Sequence, residues 1–243
     1  LGSFLTRRAL PNRLRTLAFN SWHERSLLRS WVPTLAVLFL TSGCLGPGLF
    51  QAEELSWGGT SSGGQTAASQ IANRGIGYAR SRPGDETAFG MARLVGSIER
   101  AAAQVHAALG GTLRVGDIAY RTGGRHPRHH SHQSGRDIDV SFYVVDASGQ
   151  PVTPGTLAFS HIGEQSDEAA TYRFDVMRNW FFVRALLNDP SIELQWIFCS
   201  HGVKAQLLDY AVSIETDASL LVRAAHILHQ PSTGNPHDDH FHI

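Results

Sequence analysis

Residues 129–139 read HHSHQSGRDID, and residues 237–242 read HDDHFH. Nine of the 13 histidines fall in the windows 126–132 and 226–242, and the long stretch between these windows holds only two others. Histidine is the commonest metal ligand among the amino acids. Two histidine clusters so far apart in the chain indicate a single site that folding must assemble from both.

The first cluster has the spacing His-x-x-Gly-x-x-x-Asp at His132, Gly135 and Asp139. Glycine at position 135 suits the turn that brings His132 back over the strand that follows. Residues two apart in a strand point to the same side, so Asp137 and Asp139 share a face. Asp137 could orient a ligand histidine or could be an ordinary surface aspartate, and the sequence leaves both open.

The second cluster places His240 and His242 two residues apart, so both side chains face one direction in a strand. The strand face that carries Asp137 and Asp139 and the strand face that carries His240 and His242 can then bind one ion between them. Two neutral imidazoles and one carboxylate leave a zinc ion with net positive charge, which polarises a substrate carbonyl and lowers the pKa of water. Such a site is equipped for amide hydrolysis, and a further histidine could move the proton or stabilise the oxyanion.

Composition narrows the choice of metal ligands. The 21 Lys and Arg residues balance the 21 Asp and Glu residues, so no net charge points to a nucleic acid partner. Two cysteines, Cys44 and Cys199, cannot build a cysteine zinc site or a disulfide framework. Any metal must therefore be held by histidines and carboxylates. Cys199 lies in an apolar run and is expected to be a buried thiol.

Residues 1–44 have the features of an export segment. Six arginines between residues 7 and 30 precede a short apolar run within WVPTLAVLFLTSGC, which is too short to span a bilayer. The stretch from Leu40 to Cys44 resembles a bacterial lipoprotein processing site, which would anchor the protein to a membrane through a lipid on Cys44. The alternative is an ordinary signal peptide, and either indicates the periplasm.

Residues 45–75 are rich in Gly, Ser and Thr and predict a flexible linker, which leaves residues 76–243 as the catalytic domain. Apolar spacing predicts helices at 86–109, 174–187, 203–213 and 215–230 and strands at 113–120, 137–145 and 193–200. His226 and His229 are expected to share a face of the last helix. A loop of about two dozen residues before the second helix is long enough to cover the site.

The segments His132–Asp139 and His237–His242 closely resemble the penicillin-insensitive murein endopeptidases. This family is part of a wider group that includes lysostaphin, the D-Ala-D-Ala carboxypeptidases and the hedgehog signalling domain. The similarity extends over about residues 85–243. It implies an α+β fold in which a small antiparallel sheet is flanked by helices and carries the zinc site on its open face.

The same resemblance implies a substrate and a role for each site residue. The substrate would be the D-alanyl-meso-diaminopimelate amide bond of peptidoglycan cross-links. The implied zinc ligands are His132, Asp139 and His242. The implied catalytic base or oxyanion stabiliser is His240. His129 and His237 match further histidines of the family that lie around the metal, and they are expected to support the metal or to contact substrate. Two other functions stay open: a D,D- or L,D-carboxypeptidase of the same group, and a non-catalytic zinc-containing cell-wall binding module.

Overall fold

The computed structural model describes residues 53–155, 157–159 and 172–243. The export segment predicted at residues 1–44 and most of the predicted covering loop lie outside the described residues. All of the described residues fall within one compact unit. None of the helices found in them is both long and apolar enough to cross a membrane.

The helices predicted from apolar spacing are confirmed in number and place within the described residues. They are α1 (Ala92–Leu109), α2 (Val176–Leu187), α3 (His201–Ile214) and α4 (Ala218–Ile227). Asp175, Ser200 and Asp217 each precede a helix and accept a hydrogen bond from its first turn. Such caps satisfy backbone donors that have no partner inside the helix, which fixes where α2, α3 and α4 begin.

The strands of the described residues are short and form several sheets. In chain order they are β1 (Leu55–Gly59), β2 (Ser62–Thr66), β3 (Ser69–Gln70), β4 (Arg74–Gly75), β5 (Tyr78–Arg80), β6 (Phe89–Gly90), β7 (Leu113–Val115), β8 (Asp139–Ser141), β9 (Val144–Val145), β10 (Pro151–Val152), β11 (Arg173–Phe174), β12 (Ile197–Phe198), β13 (Leu228–His229) and β14 (His240–His242). The largest sheet has the order β13-β12-β14-β8-β7-β5-β4.

The α+β class is confirmed, and the sheet that carries the predicted site residues is mixed. The pairs β12–β13 and β5–β7 are parallel, whereas β12–β14, β14–β8, β7–β8 and β4–β5 are antiparallel. A separate small antiparallel sheet has the order β10-β9-β11. The expectation of one small antiparallel sheet therefore covers only part of the architecture.

The packing of the hydrophobic core determines which face of the large sheet carries the predicted site residues. Val140 on β8 pairs with Phe241 on β14, and both side chains are fully buried. Because side chains alternate along a strand, Asp139, His240 and His242 must point to the opposite face. The buried aliphatic and aromatic residues thus orient the polar ones.

The flexible linker predicted for residues 45–75 is wrong from residue 55 onward, because these residues form β1 to β4. Gln65 is fully buried, and Ile71 is 1% exposed and part of the core. The β1–β2 hairpin also donates and accepts backbone hydrogen bonds with the loops at residues 122–133, for example from Gln133 N to Thr60 O at 3.0 Å. Its glycines permit close backbone approach, which composition alone does not distinguish from flexibility.

Two further predictions need correction. The strand predicted at 137–145 is interrupted, because the Asn179 side chain hydrogen-bonds to both the N–H and the C=O of Tyr143, so β8 and β9 belong to different sheets. His229 does not share a helix face with His226, since α4 ends at Ile227 and His229 lies in β13.

Candidate metal centre

Strand register brings the two histidine clusters together. In the β8–β14 ladder His242 lies opposite Asp139, and His240 lies opposite Ser141. Beyond His242 the pairing continues, because Ile243 exchanges two backbone hydrogen bonds of 2.9 and 3.0 Å with Ile138. The segment that carries the second cluster is therefore fixed beside the strand that follows the first cluster.

The loop before β8 carries His132 in an unusual conformation. His132 has a φ of 62°, in a region of backbone conformation that residues other than glycine rarely occupy. Its backbone N–H donates to Asp137 Oδ2 at 2.8 Å, which holds this conformation in place. Backbone strain of this kind is frequent at functional sites, where the surrounding structure offsets its cost.

The β1–β2 hairpin supports the same loop through Gln65. The Gln65 amide donates to Phe89 O at 3.1 Å and to Tyr120 O at 2.8 Å. Gly135 has a φ of 67°, and a Cβ atom there would lie only 1.8 Å from Gln65 Oε1. The prediction that Gly135 serves a turn is confirmed, and the structure adds that a buried side chain fills the space beside it.

Four histidines converge on the carboxylate of Asp139. His242 Nδ1 lies 2.8 Å from Asp139 Oδ1, and His132 Nε2 lies 3.2 Å from Oδ2. The Nε2 atoms of His240 and His129 lie farther away, at 3.6 and 3.7 Å from the same carboxylate. The two closest histidines are those expected from the sequence to bind the metal together with Asp139.

The remaining predicted residues, Asp137 and His237, surround this cluster. Asp137 Oδ2 lies 3.5 Å from His242 Nε2 and 3.6 Å from His132 Nδ1, on the side of these rings away from Asp139. The His237 ring centroid lies 5.0 Å from that of His240 and 5.6 Å from that of His242. The structure thus brings together all seven residues that the sequence singles out. Asp137 is 3% exposed, so the possibility that it is an ordinary surface aspartate is wrong.

The side chains present fit a bound cation. His132 is fully buried, and although its ring nitrogens lie 3.2 and 3.6 Å from the carboxylates of Asp139 and Asp137, neither forms a hydrogen bond with a described residue. Buried ring nitrogens rarely remain without a partner, so these atoms call for a ligand. Two groups close enough to share an ion both include His132: one adds His129 and Asp139, and the other adds Asp137 and His242. Nitrogen and carboxylate donors of this kind suit zinc or another transition metal.

The protonation of these groups is compatible with metal binding. Burial would raise the pKa of Asp139, but its contacts with His132 and His242 outweigh this and hold the pKa well below its usual range. Burial, together with the neighbouring His240 and His242, lowers the pKa of His237 to about 4. Asp139 is therefore a carboxylate and His237 a neutral imidazole at neutral pH.

The electrostatics of His240 differ from those of His237. Burial would lower the pKa of His240, but the carboxylates of Asp239 and Asp139 raise it above the ordinary value. Asp239 Oδ1 lies 2.5 Å from His240 Nδ1, while His240 Nε2 is directed toward Asp139. His240 can therefore hold and release a proton on the nitrogen that faces the centre.

A second polar cluster, centred on Asp117, was not identified as part of the site from the sequence. Asp117 is 1% exposed and contacts His129 Nε2 at 3.0 Å. It also accepts hydrogen bonds from Arg82 at 2.6 Å and from Arg128 at 2.8 Å. Two guanidinium groups already compensate this carboxylate, so its cluster with His126 and His129 is less suited to a cation than the one at Asp139.

The residues missed from the sequence carry weak local signals. Gln65 lies in a Gly- and Ser-rich stretch, and Asp117 follows a short apolar strand with no histidine nearby in sequence. For Asp239 the sequence leaves two roles open, contact with a histidine ring nitrogen or the shaping of a turn, and the structure shows the contact with His240. Only the tertiary contacts distinguish these residues from ordinary polar ones.

Comparison with known proteins agrees with this geometry. A search of curated proteins gave no match. A family model described as penicillin-insensitive murein endopeptidase matches residues 56–243. The match includes the β1–β2 hairpin and so begins earlier than the resemblance noted at about residue 85. Because it covers most of the chain and all seven clustered residues, the protein belongs to the penicillin-insensitive murein endopeptidase family.

Proposed function

We propose that the protein is a zinc-dependent endopeptidase that hydrolyses the amide bond between D-alanine and meso-diaminopimelate in peptidoglycan cross-links. The observation that carries this proposal is the convergence of four histidine side chains on the buried carboxylate of Asp139, at 2.8 to 3.7 Å, in a member of a murein endopeptidase family. The family supplies the class of substrate, and the donor set supports the metal.

His132, Asp139 and His242 would hold the zinc ion. Asp139 is favoured over Asp137 as the carboxylate ligand, because Asp137 Oδ2 already accepts the backbone N–H of His132. Cys199 is fully buried in the hydrophobic core and offers no thiolate to the site. When bound, zinc supplies the Lewis acidity needed for amide hydrolysis at neutral pH.

His240 would move the proton. Its Nδ1 contacts Asp239, which fixes the ring and leaves Nε2 facing the centre. Neutral His240 can accept a proton from the attacking water and, once protonated, can stabilise the oxyanion or deliver that proton to the leaving amine. Because no serine takes part, β-lactams would find no nucleophile to acylate.

His129 and Asp137 would support this chemistry from either side of the ligands. Asp137 holds the His132 backbone and lies near the outer nitrogens of both ligand rings. His129 contacts the compensated carboxylate of Asp117 and lies 3.7 Å from Asp139. Carboxylates that contact ligand histidines fix their orientation, and removing them typically lowers metal affinity about 10- to 100-fold. His237 would be a neutral neighbour of His240 and would contact substrate.

The products formed from two substrates separate this function from its alternatives. The zinc-loaded enzyme should convert a purified cross-linked muropeptide dimer to monomers, seen by mass spectrometry, and leave monomeric pentapeptide stems intact. Release of a terminal residue from monomeric stems would instead identify a carboxypeptidase. Zinc binding and wall binding without any product, in both wild type and His240→Ala, would identify a non-catalytic module.

Export to the periplasm is a separate part of the proposal and rests on residues 1–44. A basic segment followed by a short apolar run and Cys44 would direct the chain across the inner membrane. Fractionation of cells that express the full chain should recover it from the periplasm or its membranes. Labelling with a radioactive fatty acid, compared between wild type and Cys44→Ser, distinguishes a lipid anchor from an ordinary cleaved signal.

A further inference from the structure

A groove with a volume of about 760 Å³ adjoins the metal centre. Asp137 and His242 line it from the centre, and Trp196 and Phe198 line it from the segment that contains β12. Phe198 also stacks on the His242 ring, with the two centroids 5.6 Å apart. A substrate that reaches His242 can therefore extend into this groove.

Arg136 lines the groove and is exposed. Its guanidinium donates to the backbone carbonyl of Gly58 and, at 3.2 Å, to the hydroxyl of Ser134. Both acceptors are neutral, and no carboxylate within the described part of the chain pairs with Arg136. The side chain is therefore held in position while its positive charge stays uncompensated.

Other charged groups line the same groove. Arg93, at the start of α1, is a second exposed arginine without an ion-pair partner among the described residues. Glu54 accepts a hydrogen bond from the backbone N–H of Ala92, and Asp137 is engaged by His132. Glu193 also lines a separate cavity beside α4, which places it on the border between the two. None of these carboxylates forms an ion pair with Arg136.

We propose that Arg136 binds the free carboxylate on the carbon bonded to the scissile amide nitrogen, and so selects the leaving side of the substrate. This inference rests on the proposed function, because meso-diaminopimelate in a D-alanyl cross-link bears such a carboxylate next to that nitrogen. A guanidinium forms strong, directional hydrogen bonds with a carboxylate, which an amide cannot replace at equal strength. The enzyme then distinguishes cross-links with a free carboxylate from those in which it is amidated.

Two cross-linked muropeptide dimers that differ only in this group, free acid or amide, test the proposal. Wild type should cleave the free acid with a kcat/KM about tenfold higher, the usual scale for losing one charge-assisted hydrogen bond. Arg136→Gln should lose about tenfold on the free acid and almost nothing on the amide. Arg136→Lys, which keeps the charge, should recover part of the loss. Arg74→Gln is the matched control and should change neither rate. Arg74 is also an exposed arginine, but it lies on β4, at the edge of the large sheet opposite β13.

The cleavage rates of the two dimers test the carboxylate subsite and the proposed function separately. Equal cleavage of both dimers by wild type overturns the subsite but leaves the endopeptidase function intact. An equal loss on both dimers in Arg136→Gln, accompanied by lower zinc content, also overturns it, because Arg136 would then only support the loop. Cleavage of neither dimer by zinc-loaded wild type overturns the proposed function itself.

Discussion

Replacing Gly135 by alanine tests whether the β1–β2 hairpin and the metal-binding loop are one packed unit. The new Cβ would lie 1.8 Å from Gln65 Oε1 and 2.5 Å from Gln65 Cδ, so the buried amide would have to move. Its displacement threatens the two hydrogen bonds that the amide donates to the backbone carbonyls of Phe89 and Tyr120. Overpacking costs about 1–3 kcal/mol, and an alanine at positive φ costs about 1–2 kcal/mol more. The expected loss is about 2–5 kcal/mol in the free energy of unfolding.

Denaturant-induced unfolding measures this loss, and Gly149→Ala is the matched control. Gly149 has a φ of 81° but nothing within 4 Å of its would-be Cβ, so this variant should lose only the backbone contribution. Gly135→Ala should also bind less zinc, because the same loop carries His132. Adding Gln65→Ala to Gly135→Ala should destabilise less than the sum of the single changes, since the clash is gone. Equal losses for Gly135→Ala and Gly149→Ala, with full zinc content in both, would show that the hairpin and the metal-binding loop are not one packed unit.

Three other predictions address the ligands, the pH dependence and the thiol. His242→Ala should abolish stoichiometric zinc binding measured by atomic absorption, whereas His237→Ala should retain it; the reverse pattern would exclude the proposed ligand set. Burial would raise the pKa of Asp189, but Ser191, Arg100 and Ser97 outweigh this and depress it, so its stabilisation is present above a pH of about 4 and is lost as pH falls further. Asp189→Asn should therefore destabilise the protein at pH 7 and weaken the decline in stability toward pH 3, and an unchanged pH profile would contradict this. Burial raises the pKa of Cys199 to about 12, so in a Cys44→Ser background a thiol reagent should react only after unfolding.

The parts of the site that the sequence predicts are those with a local signature. His132 and Asp139 have a distinctive spacing, and His240 and His242 alternate as a strand requires, so the amino-acid pattern alone leads one to expect that they meet. The helices are equally local, because α1 shows its apolar face in the spacing of Leu94, Val95 and Ile98.

The parts that the sequence does not predict depend on contacts between distant residues. Composition predicts flexibility around Gln65, yet that side chain is buried by Phe89, Tyr120 and Gly135, which lie far away in the chain. The interruption of the predicted strand after β8 depends on Asn179, and the sequence around Tyr143 does not predict it. Asp117 has ordinary strand-end neighbours, and its role beside His129 follows only from the position of two arginines.

We expect His240 to transfer a proton beside a zinc ion that is held by His132, Asp139 and His242. The most direct test measures zinc content and muropeptide release from cross-linked sacculi for wild type and His240→Ala in parallel. We expect equal zinc content in both proteins, with release reduced by about 10²- to 10⁴-fold in the variant. Release by zinc-loaded His240→Ala at the wild-type rate would exclude a role of His240 in proton transfer.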